Sequence, residues 1–199
     1  MKSTDLLMFA GAILFLAAQL ILPGGTGSPA ERVEIMRSNP EMWNLGHLLI
    51  AASLPLLAVF TLRWYELARL LKPMLSLAGL VLFLWGLFGW YSIALLQLSS
   101  QNFLAPDFNE NAAVIVGKLG EGSVLTMAFL PYLFLLPGSI LLAAPMVRLK
   151  DSRLNAWLLI LFGAVSVAAG LSQIKVLFVL SGLILVAAAF QFLRGKKMG

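Results

Sequence analysis

Six stretches of this chain run for 17 residues or more without a charged side chain, and they restrict the fold more than any other feature. Runs of about 17–25 apolar residues are long enough to cross the hydrocarbon core of a bilayer as helices. Soluble domains carry about 25% charged residues, whereas this chain carries 12%. The sequence therefore predicts an all-α polytopic membrane protein, a single bundle of six transmembrane helices. The predicted spans are Leu6–Leu22, Trp43–Leu62, Pro73–Leu98, Ser123–Val147, Leu154–Leu171 and Val176–Leu193.

Basic residues are divided unequally between the two sides of these spans. Ten flank one side: Lys2, Arg63, Arg69, Lys72, Arg148, Lys150, Arg153, Arg194, Lys196 and Lys197. Four flank the other: Arg32, Arg37, Lys118 and Lys175. Because cytoplasmic flanks retain positive charge, the pattern predicts a bacterial inner-membrane protein with both termini in the cytoplasm. The net charge of +5 comes from these short clusters and not from a basic face, which disfavours nucleic acid as a partner.

The two long outer links each predict a short amphipathic helix. In the first link, a capping box with proline at the first helical position starts a helix at Pro29 that ends near Asn39. Pro40 then begins the second span. In the other link, Asn109 or Asn111 caps a helix that ends at Gly120.

Most catalytic chemistries lack their residues here. The chain contains no cysteine and a single histidine, so a thiolate nucleophile, a disulfide and a haem held by two histidines are excluded within one chain. No charged residue lies near the middle of a span, which disfavours a charge-coupled pump. The sequence predicts no metal site and identifies no cofactor.

Polar side chains gather in the outer third of the predicted bundle: Gln19, Asn44, His47, Tyr91, Gln97 and Glu121. His47 has two interpretations, an interfacial anchor hydrogen-bonded to a loop or one side of a binding site. Glu121 also has two interpretations. Its carboxylate either stabilises the N-terminus of a helix or pairs with His47 to hold a polar head group. We therefore name His47, Glu121 and Gln97 as candidate ligand-binding residues.

The third span is rich in aromatic residues, and Trp85 and Trp90 lie deeper than the head-group region that tryptophan prefers. They either fill the core and contact lipid or, with Tyr91, form the wall of a site for quinone, carotenoid or a lipid tail. In the second case Gly86 and Gly89 leave room for the ligand. Trp85, Trp90 and Tyr91 complete the set of candidate ligand-binding residues.

Backbone features single out two further spans. The fourth span contains Pro131, Pro137 and Pro145, and interior prolines kink a helix because they remove hydrogen bonds. Such breaks occur at transport sites and also in inert bundles. Small residues from Gly163 to Gly170 predict close packing of the fifth span against a neighbour.

The order of parts resembles that of a bacterial family of six-helix membrane proteins of unknown function. The similarity covers a span, an outer helix, and then the segments NPEMWNLGHLL, RWYELARLLKP and LLPGSILLAAPMVRLKDSRLNAWLLILFGAVSVAAG. The resemblance implies the six-helix fold and carries over no functional residue.

Together these features favour a non-enzymatic membrane protein, either an accessory subunit of a membrane complex or a module that binds lipid or another apolar ligand. Its partners are then the bilayer, other membrane subunits or a bound apolar molecule. One alternative is a transporter of a neutral or amphipathic solute. The other is a lipid-modifying enzyme at the outer head-group level, with His47 as base and Glu121 as its partner.

Overall fold

A computed structural model describes residues 3–24, 29–100, 129–150 and 152–195 of the chain. The all-helical class is confirmed within these ranges, where every regular element is a helix. The helices are α1 (Ser3–Ile21), α2 (Pro29–Ser38), α3 (Pro40–Ala68), α4 (Pro73–Ser100), α5 (Leu135–Ala143), α6 (Arg153–Ser172) and α7 (Lys175–Gly195). Helices α1, α3, α4, α6 and α7 are long and apolar enough to cross a membrane. These five helices fit a membrane protein.

Five of the six predicted spans coincide with these long helices. Helix α3 begins at Pro40, as predicted, because proline has no N–H to satisfy and its fixed φ suits the first turn. Its C-terminal end lies six residues beyond the predicted Leu62. Arg63 supports this extension, since its guanidinium lies 2.6 Å from a Glu66 carboxylate oxygen and donates to the Thr4 hydroxyl of α1 at 2.7 Å.

The fourth predicted span differs from a single helix in the part that the structure describes. Residues 129–132 form a helical turn, and a turn at residues 133–134 follows it before α5 begins. This turn lies between Pro131 and Pro137, two of the prolines that predict a kink. Pro137 lies in the first turn of α5, where the missing N–H has no intrahelical acceptor to lose. Residues 123–128 lie outside the described ranges, so the count of six spans stays a prediction.

The helices pack as a closed ring around an aromatic core. In spatial order the neighbours are α1, α3, α4, α5, α6 and α7, and α7 returns to α1. The Phe15 ring of α1 lies edge to face against Trp90 of α4, with centroids 4.7 Å apart, and 6.2 Å from Phe162 of α6. Phe83 of α4 lies 6.1 Å from the same Phe162 ring. These rings join three helices that are distant in sequence.

Several glycines lie where a neighbouring helix or backbone segment comes close. Gly86 faces the first residue of α5, and a Cβ on Gly86 would lie 2.6 Å from the Leu135 backbone nitrogen, while Gly89 faces Tyr132 just before α5. They therefore make room for a neighbouring backbone and not for a ligand, which corrects that expectation. Gly163 faces Ser139 of α5, and Gly170 faces the Tyr132 ring. The predicted close packing of the fifth span is confirmed, with α5 and its preceding turn as the neighbour.

Helix α2 lies where the first outer-link helix is predicted. Val33 and Met36 are buried and pack against Trp43 near the start of α3. The second predicted outer helix, near residues 109–120, lies outside the described ranges. Helix α2 thus places apolar side chains beside the end of the bundle at which α3 begins.

Candidate ligand cavity

A cavity of about 400 Å³ lies at the end of the bundle where α1, α4 and α6 end and α3 and α7 begin. These ends meet because successive long helices run in opposite directions. Most of the described lining is apolar: Leu22, Pro23, Gly24, Ile35, Trp43, Ile50, Trp90, Ile93, Ala94, Phe129, Tyr132, Gly170, Leu171 and Phe178. The polar side chains among the described lining residues are Gln19, His47, Gln97, Gln173 and Lys175.

One face of α4 forms a wall of this cavity. Trp90, Ile93, Ala94 and Gln97 follow the spacing i, i+3, i+4 and i+7, which places four side chains on one side of a helix. Trp90 is 5% exposed. Its ring is held edge to face by Phe15 and by Tyr132, whose centroid lies 5.1 Å away. The wall is therefore built into the packed core.

Tyr132 supports this wall from the segment before α5. Its ring is 2% exposed, lies 5.3 Å from the Phe129 ring, and packs over Gly170. The hydroxyl donates a hydrogen bond to the Ser166 backbone carbonyl. The phenol thus presents its ring to the cavity while its polar end is satisfied in α6.

His47 shows one defined hydrogen-bonding face. Its Nδ1 lies 2.9 Å from the Trp43 carbonyl oxygen, one helical turn earlier. A carbonyl oxygen only accepts, so Nδ1 carries the proton and Nε2 of the neutral imidazole is an acceptor. The Trp43 indole ring lies 4.5 Å from the imidazole ring, and its Nε1–H donates to the Gln97 backbone carbonyl at 3.3 Å. The contact with Trp43 fixes the ring orientation and the tautomer of His47.

Gln19 is the polar lining residue with the least access to water. It is 3% exposed, and its amide Nε2 has no hydrogen-bond partner among the described residues. A buried donor without a partner costs about 1–3 kcal/mol relative to a satisfied one. The sequence places Gln19 in the outer polar group, but a lone glutamine near the end of an apolar run does not reveal that the residue is buried and lines a cavity.

Lys175 is the one charged side chain among the described lining residues. It is exposed at the start of α7, and its ammonium donates to the Leu20 carbonyl of α1 at 3.4 Å. This contact places a cation beside the C-terminal end of α1, where the helix dipole is negative. No carboxylate lines the cavity within the described part of the chain. The described rim is therefore positively charged.

The structure brings together three of the six predicted site residues. His47, Trp90 and Gln97 line the cavity. Trp85 is 51% exposed and stacks on Phe88 on the outer surface of α4. It precedes Trp90 by five residues, about 1.4 helical turns, so the two side chains point to different sides of the helix. Tyr91 is half-buried and is not among the lining residues.

Glu121 lies outside the described residues, so its predicted pairing with His47 stays a prediction. Gln173 and Lys175, which the sequence does not single out as a pair, enter the cavity lining because the connection between α6 and α7 is short. Gln173 has a left-handed backbone with φ of 56° and ends α6, its N–H donating to the Ala169 carbonyl. This turn directs the chain from α6 directly into α7.

No family model, curated protein or solved structure matches this chain. The resemblance of its layout to a bacterial six-helix family stays a prediction. The geometry and chemistry of the cavity are consequently the basis for assigning a function.

Proposed function

We propose that this chain is a non-enzymatic protein of the bacterial inner membrane that binds a mainly apolar ligand at the outer end of a six-helix bundle. It acts as a ligand-binding or lipid-binding module, or as a subunit that brings such a ligand to a membrane complex. The bilayer, and other membrane subunits where such a complex exists, are its partners. No nucleic acid is involved.

The observation that carries this proposal is the cavity of about 400 Å³, whose described lining is mostly apolar with a few polar side chains. Packed protein interiors contain few voids larger than a water molecule. Sites for small molecules occupy about 300–1,000 Å³ and combine apolar walls with a few polar groups. The α4 wall and the polar side chains of the lining fit that description.

The described lining favours binding over catalysis. It contains no serine, threonine, aspartate or glutamate side chain within the described ranges. The Tyr132 hydroxyl is engaged with α6, and His47 has no carboxylate partner among the described residues. No described contact favours the alternative in which His47 and Glu121 act as a catalytic pair.

Transport of a neutral or amphipathic solute is the second candidate. One observation favours it, since the helix break at residues 133–134 directly follows Tyr132, a lining residue of the cavity. Discontinuous helices provide binding sites in several transporter folds. Uptake of the bound molecule into sealed vesicles that contain the protein distinguishes transport from binding alone.

Copurification tests the binding proposal. The protein extracted in a mild alkyl maltoside is expected to retain one apolar molecule in stoichiometric amount, identified by native mass spectrometry and by absorption if it is coloured. An unrelated polytopic protein prepared identically provides the control. Recovery of only the detergent and the bulk lipid mixture seen in that control would contradict the proposal.

The proposed orientation follows from the excess of basic residues on one side, ten against four. Reporter fusions after Arg69, Lys150 and Lys197 are expected to show cytoplasmic activity. Fusions near Arg32 and Lys118 are expected to show external activity. Reversal at two or more of these positions would defeat the predicted topology, with both termini in the cytoplasm.

A further inference from the structure

Several polar side chains of the cavity lining already use a donor on the protein's own backbone. Four of them donate to a backbone carbonyl: Trp43 to Gln97, Tyr132 to Ser166, Gln173 to Gly170 and Lys175 to Leu20. The Gln19 amide nitrogen is shielded from solvent, so it presents no surface to a ligand. Each of the four contacts uses a donor that a ligand would otherwise meet.

His47 lies in the middle of the α3 face that lines the cavity. Trp43, His47 and Ile50 are lining residues and follow the spacing i, i+4 and i+7, which places them on one side of the helix. The Nδ1 edge of the imidazole is turned back to the Trp43 carbonyl, 2.9 Å away. Nε2 lies at the other edge of the ring. It is therefore directed away from the α3 backbone, on the side of the cavity.

Nε2 of His47 is an acceptor that a small group can reach. The hydrogen bond that His47 makes within the described part of the chain uses Nδ1. Four described side-chain atoms are both shielded from solvent and without a partner: Gln19 Nε2, Trp64 Nε1, Asn155 Oδ1 and Ser166 Oγ. His47 Nε2 is not one of them, so it keeps accessible surface. Because Nδ1 carries the proton, this surface offers a lone pair.

Other acceptors also line the cavity, since the glutamine side chains each carry an amide oxygen. His47 is favoured over them for two reasons. An imidazole nitrogen is more basic than an amide oxygen. The ring is also held in place, because the Trp43 carbonyl binds its Nδ1–H and the Trp43 indole packs 4.5 Å from it. A fixed lone pair costs little entropy to engage.

From these contacts we infer that His47 Nε2 accepts a hydrogen bond from the hydroxyl of a neutral, mainly apolar molecule. The apolar body of the molecule lies against Ile50, Ile93 and Phe178. This inference rests on the proposed binding function and names the polar group that the ligand presents. An aliphatic alcohol, as in an acylglycerol, and a phenol, as in a reduced quinone, share that chemistry.

Because the chain contains a single histidine, the contact can be measured directly. The full-length protein, labelled with ¹⁵N in histidine, is reconstituted into phosphatidylcholine, a lipid without an O–H or N–H donor. Dodecanol labelled with ¹³C at the carbon that bears the oxygen is expected to show a dipolar coupling to Nε2 in solid-state NMR. Dodecyl methyl ether, labelled at the same carbon, keeps the oxygen and lacks the donor, so no coupling is expected.

Affinity provides a second measurement. The two probes are equilibrated with the protein in phosphatidylcholine nanodiscs, and the retained probe is counted by native mass spectrometry. The wild type is expected to bind dodecanol about fivefold more tightly than the ether, because only the alcohol donates to Nε2. His47→Leu removes the acceptor and is expected to bind both probes equally. The coupling measurement uses the wild type, so it still decides if His47→Leu does not fold.

Gln191→Leu is the matched control for this variant. It replaces a polar side chain by leucine on α7, outside the cavity lining. The fivefold preference for dodecanol over the ether is expected to be unchanged. A preference lost in both variants would overturn the inference, because the loss would then not depend on the acceptor in the cavity.

A second pair of probes, para-hexylphenol and its methyl ether, distinguishes the two sources of the hydroxyl. A larger preference for the hydroxyl in this pair than in the dodecyl pair assigns the site to a phenol. An equal or larger preference in the dodecyl pair assigns it to an aliphatic alcohol. Both outcomes, when they disappear in His47→Leu, support the inference.

The failures of the inference and of the proposed function differ. Equal retention of dodecanol and its ether by the wild type, lost when Ala94→Phe fills the cavity, would overturn the role of His47 and leave apolar binding standing. Retention of none of the probes by folded wild-type protein would overturn both. A preference for dodecanol that persists in folded His47→Leu would also overturn the inference, because another group then accepts from the hydroxyl.

Discussion

Replacing Phe15 with alanine is expected to cause the largest loss of stability of any single substitution considered. Phe15 is fully buried and links α1 to Trp90 of α4 and to Phe162 of α6. Truncating a core phenylalanine costs about 3–5 kcal/mol in soluble proteins. Lipid is as apolar as the core, so the free energy of moving the side chain out of water contributes less here, whereas the lost packing contacts cost as much. We therefore expect the free energy of unfolding to fall by about 3 kcal/mol.

The measurement is thermal or denaturant unfolding of purified protein in detergent, followed by circular dichroism. A loss of that size is expected to lower the unfolding midpoint by about 10 °C in a chain of this length. Phe88→Ala is the matched control, because Phe88 lies on the outer surface of α4 and is 54% exposed. Equal shifts in the two variants would show that the aromatic core does not hold the helices together.

Filling the cavity is expected to remove ligand binding without unfolding the bundle. Ala94 is 1% exposed and lies on the cavity wall. A phenylalanine ring at this position occupies the space that the ligand needs. We expect retention of the copurifying molecule to fall by about tenfold or more, equivalent to at least about 1.4 kcal/mol.

Ala78→Phe provides the comparison for this variant, because it adds the same ring to an exposed position of α4. It is expected to retain the ligand fully. Ile50→Phe narrows the cavity from α3 and serves as a second variant if Ala94→Phe does not fold. Full retention by a folded Ala94→Phe or Ile50→Phe protein would place the ligand elsewhere.

The candidate site was only partly visible in the sequence, and α4 shows why. Hydrophobicity identifies Trp85, Trp90 and Tyr91 as one aromatic cluster, but helical rotation distributes them over different faces. Trp90 is directed to the cavity by its contacts with Phe15 and Tyr132, and Trp85 is directed to the outer surface. The neighbours of a helix decide which face is buried, and they come from segments distant in sequence.

The fourth predicted span shows a second limit. Its prolines predict a kink, and a two-residue turn lies between two of them at residues 133–134. In the third span, which packs against it, Gly86 is expected to give a ligand access, yet Gly86 faces the backbone of Leu135. A missing side chain creates space on a helix, and only the packing of the other helices determines whether a backbone or a ligand occupies it.

Local chemistry thus determined the helices of this protein: apolar runs of span length form helices because backbone groups in a bilayer must be satisfied within the segment. The start of α3 at Pro40 is also determined locally, by the fixed φ of proline. The tertiary structure decided the ring order of the helices and brought Gln19, His47 and Trp90 to one cavity. When a helix is apolar on every side, its hydrophobic pattern does not indicate which helices lie next to it. The neighbouring helices are determined instead by close contacts between small and aromatic side chains.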